Sequence, residues 1–176
     1  MKQTARAKEN SANYYTIIKS PIDDLLLVAD DSALTGLYFV GYKHIPAASK
    51  GWTRNKQHPI LCQAAKQLQE YFSGKREKFS VPLRLGGTDF QEKIWKKIAS
   101  IPYGKTVSYT ILAKQAGSVD AIRAAGTATG RNPISIIIPC HRVVGKDGSL
   151  HGFAGGLDRK RHLLEIEGLL TKTLKK

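Results

Sequence analysis

The segment Pro139-Cys140-His141-Arg142 concentrates side chains that can do chemistry. The cysteine follows a proline and precedes two residues that can carry positive charge. A thiolate rather than a thiol is the nucleophile, and nearby positive charge favours the thiolate. An isolated cysteine is more often a buried structural residue. Here the polar flank and the proline favour a nucleophile.

The order of Cys140 and His141 sets a geometric condition for that chemistry. The continuous apolar run from Ile134 to Ile138 predicts a buried strand that ends at the cysteine. Adjacent side chains of an extended chain point to opposite faces. His141 could therefore activate Cys140 only through a bent backbone or a bridging water.

A metal site is a second chemistry that such side chains could support. His58, Cys62, Cys140 and His141 would supply enough ligands, but only the first two share helical i, i+4 spacing, and CxxC and HxxxH are absent. We therefore expect no metal site. Cys62 lies near an apolar stripe and is interpreted as a small core residue.

Charge and hydropathy limit the class of protein. The 176 residues carry 28 Lys and Arg against 14 Asp and Glu, and both halves of the chain are basic. A solvated surface is one explanation, and a polyanion partner such as nucleic acid is the other. No apolar run reaches the roughly 20 residues that span a bilayer, and Met1 to Asn13 is polar. We expect a cytoplasmic or nucleoid-associated protein without a membrane partner.

The first half predicts a small sheet and one helix. Runs at 14–18, 25–29 and 34–40 predict three strands of an antiparallel meander, and 41–57 predicts a loop. Pro59 suits the first position of a helix that Gly74 ends. We assign residues 1–87 to a small α/β domain.

The second half, residues 88–176, is predicted to be a mainly α winged-helix domain that carries a helix-turn-helix. Thr88 and Gln91 match a capping box, and Ser118 would cap the second of two short helices, Ser108 to Gln115 and Val119 to about Thr129. A last helix runs from about Leu157 to Glu167. The fold class is thus an α/β N-terminal domain with a small antiparallel sheet, followed by this C-terminal domain.

The second of the short helices is unusual for a DNA-reading element. It carries several small residues and Arg123, whereas reading the major groove needs several long polar side chains. A slim face with one arginine suits sequence-independent binding in the minor groove, with Arg123 inserted. Tight helix packing with Arg123 as a surface charge explains the pattern equally well.

The string from Ile138 to Val144 resembles the active-site signature of the O6-alkylguanine-DNA alkyltransferases, also called methylated-DNA–protein-cysteine methyltransferases. Other strings fall in the family's order and spacing: Ile101-Pro102-Tyr103-Gly104, Ser108-Tyr109, Ala121-x-Arg123-Ala124-x-Gly126, Asn132-Pro133, Gly155-Gly156-Leu157 and Leu163-Leu164-x-x-Glu167-Gly168. The resemblance is close over residues 88–168 and looser over 14–87.

The resemblance implies DNA repair by direct damage reversal. Cys140 would take the alkyl group irreversibly from O6-alkylguanine, and from O4-alkylthymine, as a single-turnover methylated-DNA–[protein]-cysteine S-methyltransferase. His141 would act on Cys140 through a water, and Glu167 would orient His141. The alkyl group comes from the substrate, so the resemblance implies no cofactor, and we carry over no metal.

The resemblance also implies contacts with DNA. The partner would be double-stranded DNA carrying alkylated bases, bound by a monomer that could cluster along the duplex. Tyr109 would hydrogen-bond or protonate guanine N3, and Arg123 would fill the stack that the flipped base leaves. Asn132 would tie the helix-turn-helix to the active-site strand.

Further residues complete the expected site. The resemblance assigns them to the pocket, to the guanine edge or to DNA: Thr110, Ser118, Ser135, Val143, Phe153 and Ala154. Ser135 stands where some relatives have proline, which suggests more room for larger alkyl groups.

Overall fold

The computed structural model describes residues 13–41, 45, 47–117 and 121–170. Six strands and five α-helices are described there, together with 3-10 helices at Ala47–Gly51 and Cys140–Arg142. In chain order these elements are β1 (Tyr14–Ile18), β2 (Leu25–Ala29), β3 (Leu34–Phe39), β4 (Thr53–Arg54), α1 (Pro59–Phe72), α2 (Asp89–Ala99), β5 (Val107–Ser108), α3 (Tyr109–Gln115), α4 (Ile122–Gly130), β6 (Val143–Val144) and α5 (Leu157–Ile166).

The N-terminal sheet has the strand order β3-β2-β1-β4. The three predicted strands are confirmed as antiparallel neighbours, and every residue of β2 is buried. The prediction of a loop over 41–57 was wrong at Ala47–Gly51 and at β4, which pairs parallel to β1 and makes the sheet mixed. A two-residue strand is too short to leave an alternating pattern in the sequence.

Helix α1 covers one face of this sheet. Pro59 is its first residue, Gly74 follows its end with a φ of +71°, and Leu61, Leu68 and Tyr71 on one side are fully buried. The prediction that Cys62 is a small core residue was wrong, because Cys62 is exposed. Cys62 follows Leu61 by one residue, so its side chain points about 100° away from Leu61 around the helix axis and off the buried stripe.

In the C-terminal half, the capping box of α2 is confirmed. The Thr88 hydroxyl accepts from the Gln91 backbone N–H, and the Gln91 side chain accepts from the Thr88 N–H. Buried Trp95 of α2 donates its indole N–H to the Ala128 carbonyl of α4 at 2.8 Å. This bond holds the two helices against each other.

The two short helices are present as α3 and α4. Ser108 caps α3. The N-cap of α4 is Ala121, and the predicted cap Ser118 and start Val119 lie outside the described residues. Beside α3, strands β5 and β6 pair in parallel, with Val107 opposite Val143. No helix of the described ranges combines the length and apolar sequence that a membrane crossing needs.

The predicted strand Ile134–Ile138 was wrong. Only Ile134 makes a strand-like contact, an isolated bridge to Leu37, and the chain then coils so that the Ile138 N–H donates to the Ile134 carbonyl at 3.0 Å. Ile136 has a φ of +70°. A short apolar run shows burial but does not distinguish a strand from a buried turn.

One hydrophobic core includes residues from both halves of the chain. The contact is also made by backbone, since the Leu37 N–H donates to the Pro133 carbonyl and the Ser135 N–H donates to the Leu37 carbonyl. The boundary at Gly87 stays a prediction. The shared core means that the sheet and the turn before Cys140 support each other.

Replacing Thr88 with alanine should lower the free energy of unfolding by about 1 kcal/mol, because the N-terminus of α2 loses its side-chain acceptor. Urea unfolding followed by circular dichroism measures the change. Thr106→Ala is the control, since Thr106 is exposed and outside any helix. Equal losses in both variants would contradict a role for the cap.

Candidate active site

Cys140 begins a 3-10 turn that continues through His141 to Arg142. The turn follows Pro139, whose carbonyl accepts from the Arg142 N–H at 2.9 Å. Cys140 is 3 % exposed and His141 is fully buried. The backbone here is bent rather than extended, which meets one of the two conditions for His141 to act on its neighbour.

Asn132 holds the turn before the cysteine. Its amide nitrogen donates to the Ile138 carbonyl at 2.8 Å and lies 3.2 Å from the Cys140 sulfur, while its amide oxygen accepts from the Ile134 N–H. Asn132 directly follows the C-terminal end of α4. One side chain therefore links the end of that helix to the nucleophile.

The resting thiol of Cys140 is protonated. Burial raises its pKa, and the Asn132 amide and the Lys160 ammonium act in the opposite direction without cancelling the effect. A buried thiol of this kind needs a base before it can attack.

His141 supplies a nitrogen suited to that task. Its Nε2 lies 2.8 Å from Oε1 of Glu167, while its Nδ1 is buried and has no hydrogen-bond partner within the described residues. A carboxylate can only accept, so Nε2 carries the hydrogen and Nδ1 is the free base. Burial lowers the pKa of His141, although Glu167 acts against it, so the ring is neutral at neutral pH.

Glu167 stays ionised in this buried position. Burial raises its pKa, but hydrogen bonds from His141 and Arg142 outweigh burial and bring the pKa to about 2. Arg142 donates to both carboxylate oxygens and, through Nη1, to the Ile101 carbonyl at 2.5 Å. The charge of Arg142 is thus paired with Glu167. It does not stabilise the Cys140 thiolate, as the position of Arg142 in the sequence had suggested.

Lys160 is the cation that favours the thiolate, and the sequence analysis missed it. It is fully buried on α5, donates to the carbonyls of Val143 and His151 at 2.5 and 2.7 Å, and has a pKa that burial lowers to about 8. A signal was available, because Lys160 lies on the same helical face as buried Leu163 and Leu164.

A cavity of about 920 Å³ lies between α3, α4 and the loop at 151–156, and Cys140 is not among its lining residues. Tyr109, Arg123, Phe153 and Ala154 are among its lining residues. The Tyr109 hydroxyl donates to the Gly152 carbonyl at 3.0 Å, within the loop that forms one wall. Burial and the neighbouring Cys140 raise the pKa of Tyr109 to about 12, so the hydroxyl remains a hydrogen-bond donor at neutral pH.

The other expected site residues lie around this cavity or away from it. Arg123 is exposed on α4, and Thr110 is half-buried at the start of α3. Val143 is buried in β6, and its carbonyl is occupied by Lys160. Ser135 is buried but does not line the cavity, so its effect on alkyl-group size stays a prediction. Ser118 lies outside the described residues.

Within residues 13–41, 45, 47–117 and 121–170, no three His, Cys, Asp or Glu side chains converge in a way that could hold a metal ion. Cys62 and His58 in particular are not joined by a third such side chain.

Two family profiles match the chain. One, described as "6-O-methylguanine DNA methyltransferase, DNA binding domain", covers residues 89–169, and the other, described as "6-O-methylguanine DNA methyltransferase, ribonuclease-like domain", covers residues 13–85.

Individual relatives are similar over most of their length. The methylated-DNA–protein-cysteine methyltransferase of Methanosarcina barkeri is 47% identical over 154 residues, which are 88% of this chain and 96% of the relative. A crystal structure of Mycobacterium tuberculosis OGT in complex with DNA superposes with a TM-score of 0.84 at 45% identity, covering 88% of this chain and 93% of that one. A structure of the M. tuberculosis O6-methylguanine methyltransferase gives 0.82 at 43% identity, with 92% and 97% covered.

The buried carboxylate makes stability depend on acid pH. The pKa of Glu167 is about 2 in the folded protein against an ordinary 4.5, so the unfolded chain binds more protons between these values and the free energy of unfolding falls as the pH drops through this range. Urea unfolding at stepped pH should show that slope, and Glu167→Gln should flatten it. Glu165→Gln is the control, because Glu165 is exposed in the last turn of α5, two residues before Glu167. An unchanged slope in Glu167→Gln would contradict the assignment.

Proposed function

The chain belongs to the 6-O-methylguanine DNA methyltransferase family, and from this premise we propose that it repairs DNA by moving an alkyl group from O6 of guanine to the sulfur of Cys140. The observation that supports this assignment most directly is the buried Cys140 beside a neutral His141 whose Nε2–H is held by Glu167. That arrangement provides a nucleophile and a base in one turn of the chain.

The proposed reaction begins with proton transfer. The Nδ1 atom of His141 takes the proton of the Cys140 thiol through a bridging water, and the Glu167 carboxylate stabilises the imidazolium that forms. Lys160 favours the resulting thiolate by its charge. Without such a base, burial would keep the sulfur in its unreactive thiol form.

The thiolate then displaces the purine in a single in-line step. A bond forms between sulfur and the alkyl carbon as the bond from that carbon to O6 breaks, and the electron pair returns to the purine. Tyr109, which keeps its hydroxyl proton up to a pKa of about 12, donates to guanine N3 and so improves the leaving group. The products are a thioether on Cys140 and a guanine anion, which takes up one proton to become unmodified guanine; the proton that His141 took from the thiol balances this uptake.

This chemistry consumes the protein. A thioether has no ready leaving reaction, so each molecule repairs one lesion, and no cofactor takes part because the substrate supplies the alkyl group. O4-alkylthymine presents the same kind of alkyl–oxygen bond, and we include it among the substrates.

Recognition of DNA follows from the cavity and from α4. We propose that alkylated bases in double-stranded DNA are the partner, that a base is turned out of the duplex into the cavity, and that Arg123 at the cavity rim fills the gap in the stack. The net charge of +14 supplies phosphate attraction without sequence preference. The protein is proposed to act in the cytoplasm or nucleoid as a monomer that could cluster on DNA.

Incubation with DNA containing O6-methylguanine should add the mass of one methyl group to the protein, on the peptide that contains Cys140. Intact-protein and peptide mass spectrometry measure this increment, and titration should show one lesion repaired per protein molecule. Cys140→Ala should bind the same DNA without gaining mass. Cys62→Ala, which changes the exposed cysteine, should gain one methyl group as the wild-type protein does.

Other outcomes would identify other functions. Binding without any mass gain would indicate a protein that recognises alkylated bases without repairing them, and repeated turnover would indicate a cysteine hydrolase. If the protein only binds DNA, and Cys140→Ala leaves that function fully intact, a plain winged-helix DNA-binding protein is the remaining interpretation.

Arg123→Ala should impair transfer from duplex DNA more than transfer from free O6-benzylguanine, because the free base needs no flipping. Single-turnover rates with both substrates measure the difference. Arg131→Ala is the matched control, since Arg131 is also exposed and lies at the other end of α4. Equal losses with the two substrates would contradict the wedge role of Arg123.

A further inference from the structure

Tyr71 reaches the catalytic carboxylate from the other half of the chain. It lies on α1, is fully buried, and places its hydroxyl 2.8 Å from Oε1 of Glu167. Burial and the negative charge of Glu167 raise its pKa far above the ordinary value of 10.0. The phenol is therefore a neutral donor to the carboxylate at any pH at which the protein works.

The oxygen that Tyr71 contacts is the one that faces His141. Oε1 accepts from His141 Nε2 at 2.8 Å, from Arg142 Nη2 at 2.9 Å and from the Tyr71 hydroxyl. The other oxygen, Oε2, accepts from Arg142 Nε and from the Gly104 N–H. Three donors thus divide the lone pairs and the negative charge of a single oxygen atom.

We propose that Tyr71 is a positioning residue for alkyl transfer, whose hydroxyl fixes the Glu167 carboxylate and limits the negative charge that Oε1 presents to His141. This inference rests on the proposed function, because it concerns the same proton transfer. It assigns to the N-terminal half a direct part in the chemistry of the C-terminal half.

Several charged or titratable groups affect the pKa of His141. Glu167 faces the ring at Nε2, Arg142 and Lys160 act on it as cations, and Cys140 is its neighbour in the 3-10 turn. Tyr103 lies close to this network, with its ring 5.8 Å from the Arg142 guanidinium and its own hydroxyl bonded to the Ile166 carbonyl. Apart from the neutral His141 ring itself, Tyr71 is the uncharged donor to Oε1 among the described residues.

Removing the Tyr71 hydroxyl should change the pKa of His141 in a predictable direction. With one hydrogen bond fewer, Oε1 carries more negative charge toward His141 and stabilises the imidazolium more strongly. The pKa of His141 then rises, and the base becomes protonated at a higher pH. The acid limb of the rate profile should move upward, whereas a general loosening of the fold would lower the rate without moving it.

The test uses the full chain and its single-turnover rate with free O6-benzylguanine as a function of pH. In Tyr71→Phe, the midpoint of the acid limb should rise by about half to one pH unit, the scale of the net contribution of one typical hydrogen bond. Tyr103→Phe is the control: it also loses a tyrosine hydroxyl near the network, but a half-buried one that donates to the Ile166 carbonyl rather than to Glu167. Its midpoint should stay at the wild-type value.

A second variant keeps the test decisive if Tyr71→Phe fails to fold. Site-specific replacement of Tyr71 by 3-fluorotyrosine preserves the shape and makes the phenol a stronger donor, so the midpoint should move to lower pH. Wild-type midpoints in both Tyr71 variants, or in the fluorinated one alone where the other does not fold, would overturn the inference while leaving the proposed function intact. Failure of the wild-type protein itself to transfer the alkyl group to Cys140 would overturn the proposed function, and this inference with it.

Discussion

The Glu167 carboxylate is the group on which the arrangement of the site depends. A buried negative charge is tolerated only when donors surround it, and here the five donated bonds come from α1, from the turn at Gly104 and from the 3-10 turn that holds His141 and Arg142. Each of these segments must dock before the charge is satisfied. The carboxylate therefore ties the position of His141 to the packing of α1 and of the Gly104 turn.

A second set of polar contacts shapes the cavity and is connected to the first through the cysteine. Lys160 joins the Val143 and His151 carbonyls, so α5 holds both β6 and the loop to which the Tyr109 hydroxyl also bonds. Asn132 joins the end of α4 to the turn before Cys140. Cys140 is thus connected to the buried charge network through His141 and to the end of α4 through Asn132.

The sequence predicted the features that depend on local signals. The three strands, the capping box at Thr88 and the helix that begins at Pro59 each have short-range causes, and the string around Cys140 resembles a known family. What failed depends on tertiary contacts. Ile134–Ile138 is buried by packing against Leu37 and coils because Asn132 offers it side-chain hydrogen bonds. The helical face of Lys160 indicates burial, but only the docked helix shows which carbonyls its ammonium meets. Tyr71 and Glu167 are 96 positions apart, and no local pattern joins them.

The left-handed conformation of Ile136 bears on how the turn before Cys140 responds to heat. A β-branched residue at a φ of +70° is held there against its own preference, and such a conformation persists only while the surrounding structure enforces it. The turn at 134–138 shortly precedes Cys140 and is held by hydrogen bonds from Asn132 and by its contact with Leu37. When heat loosens the core, this turn has a reason to relax. We therefore expect the thermal lifetime of the geometry around Cys140 to depend on the packing around Ile136.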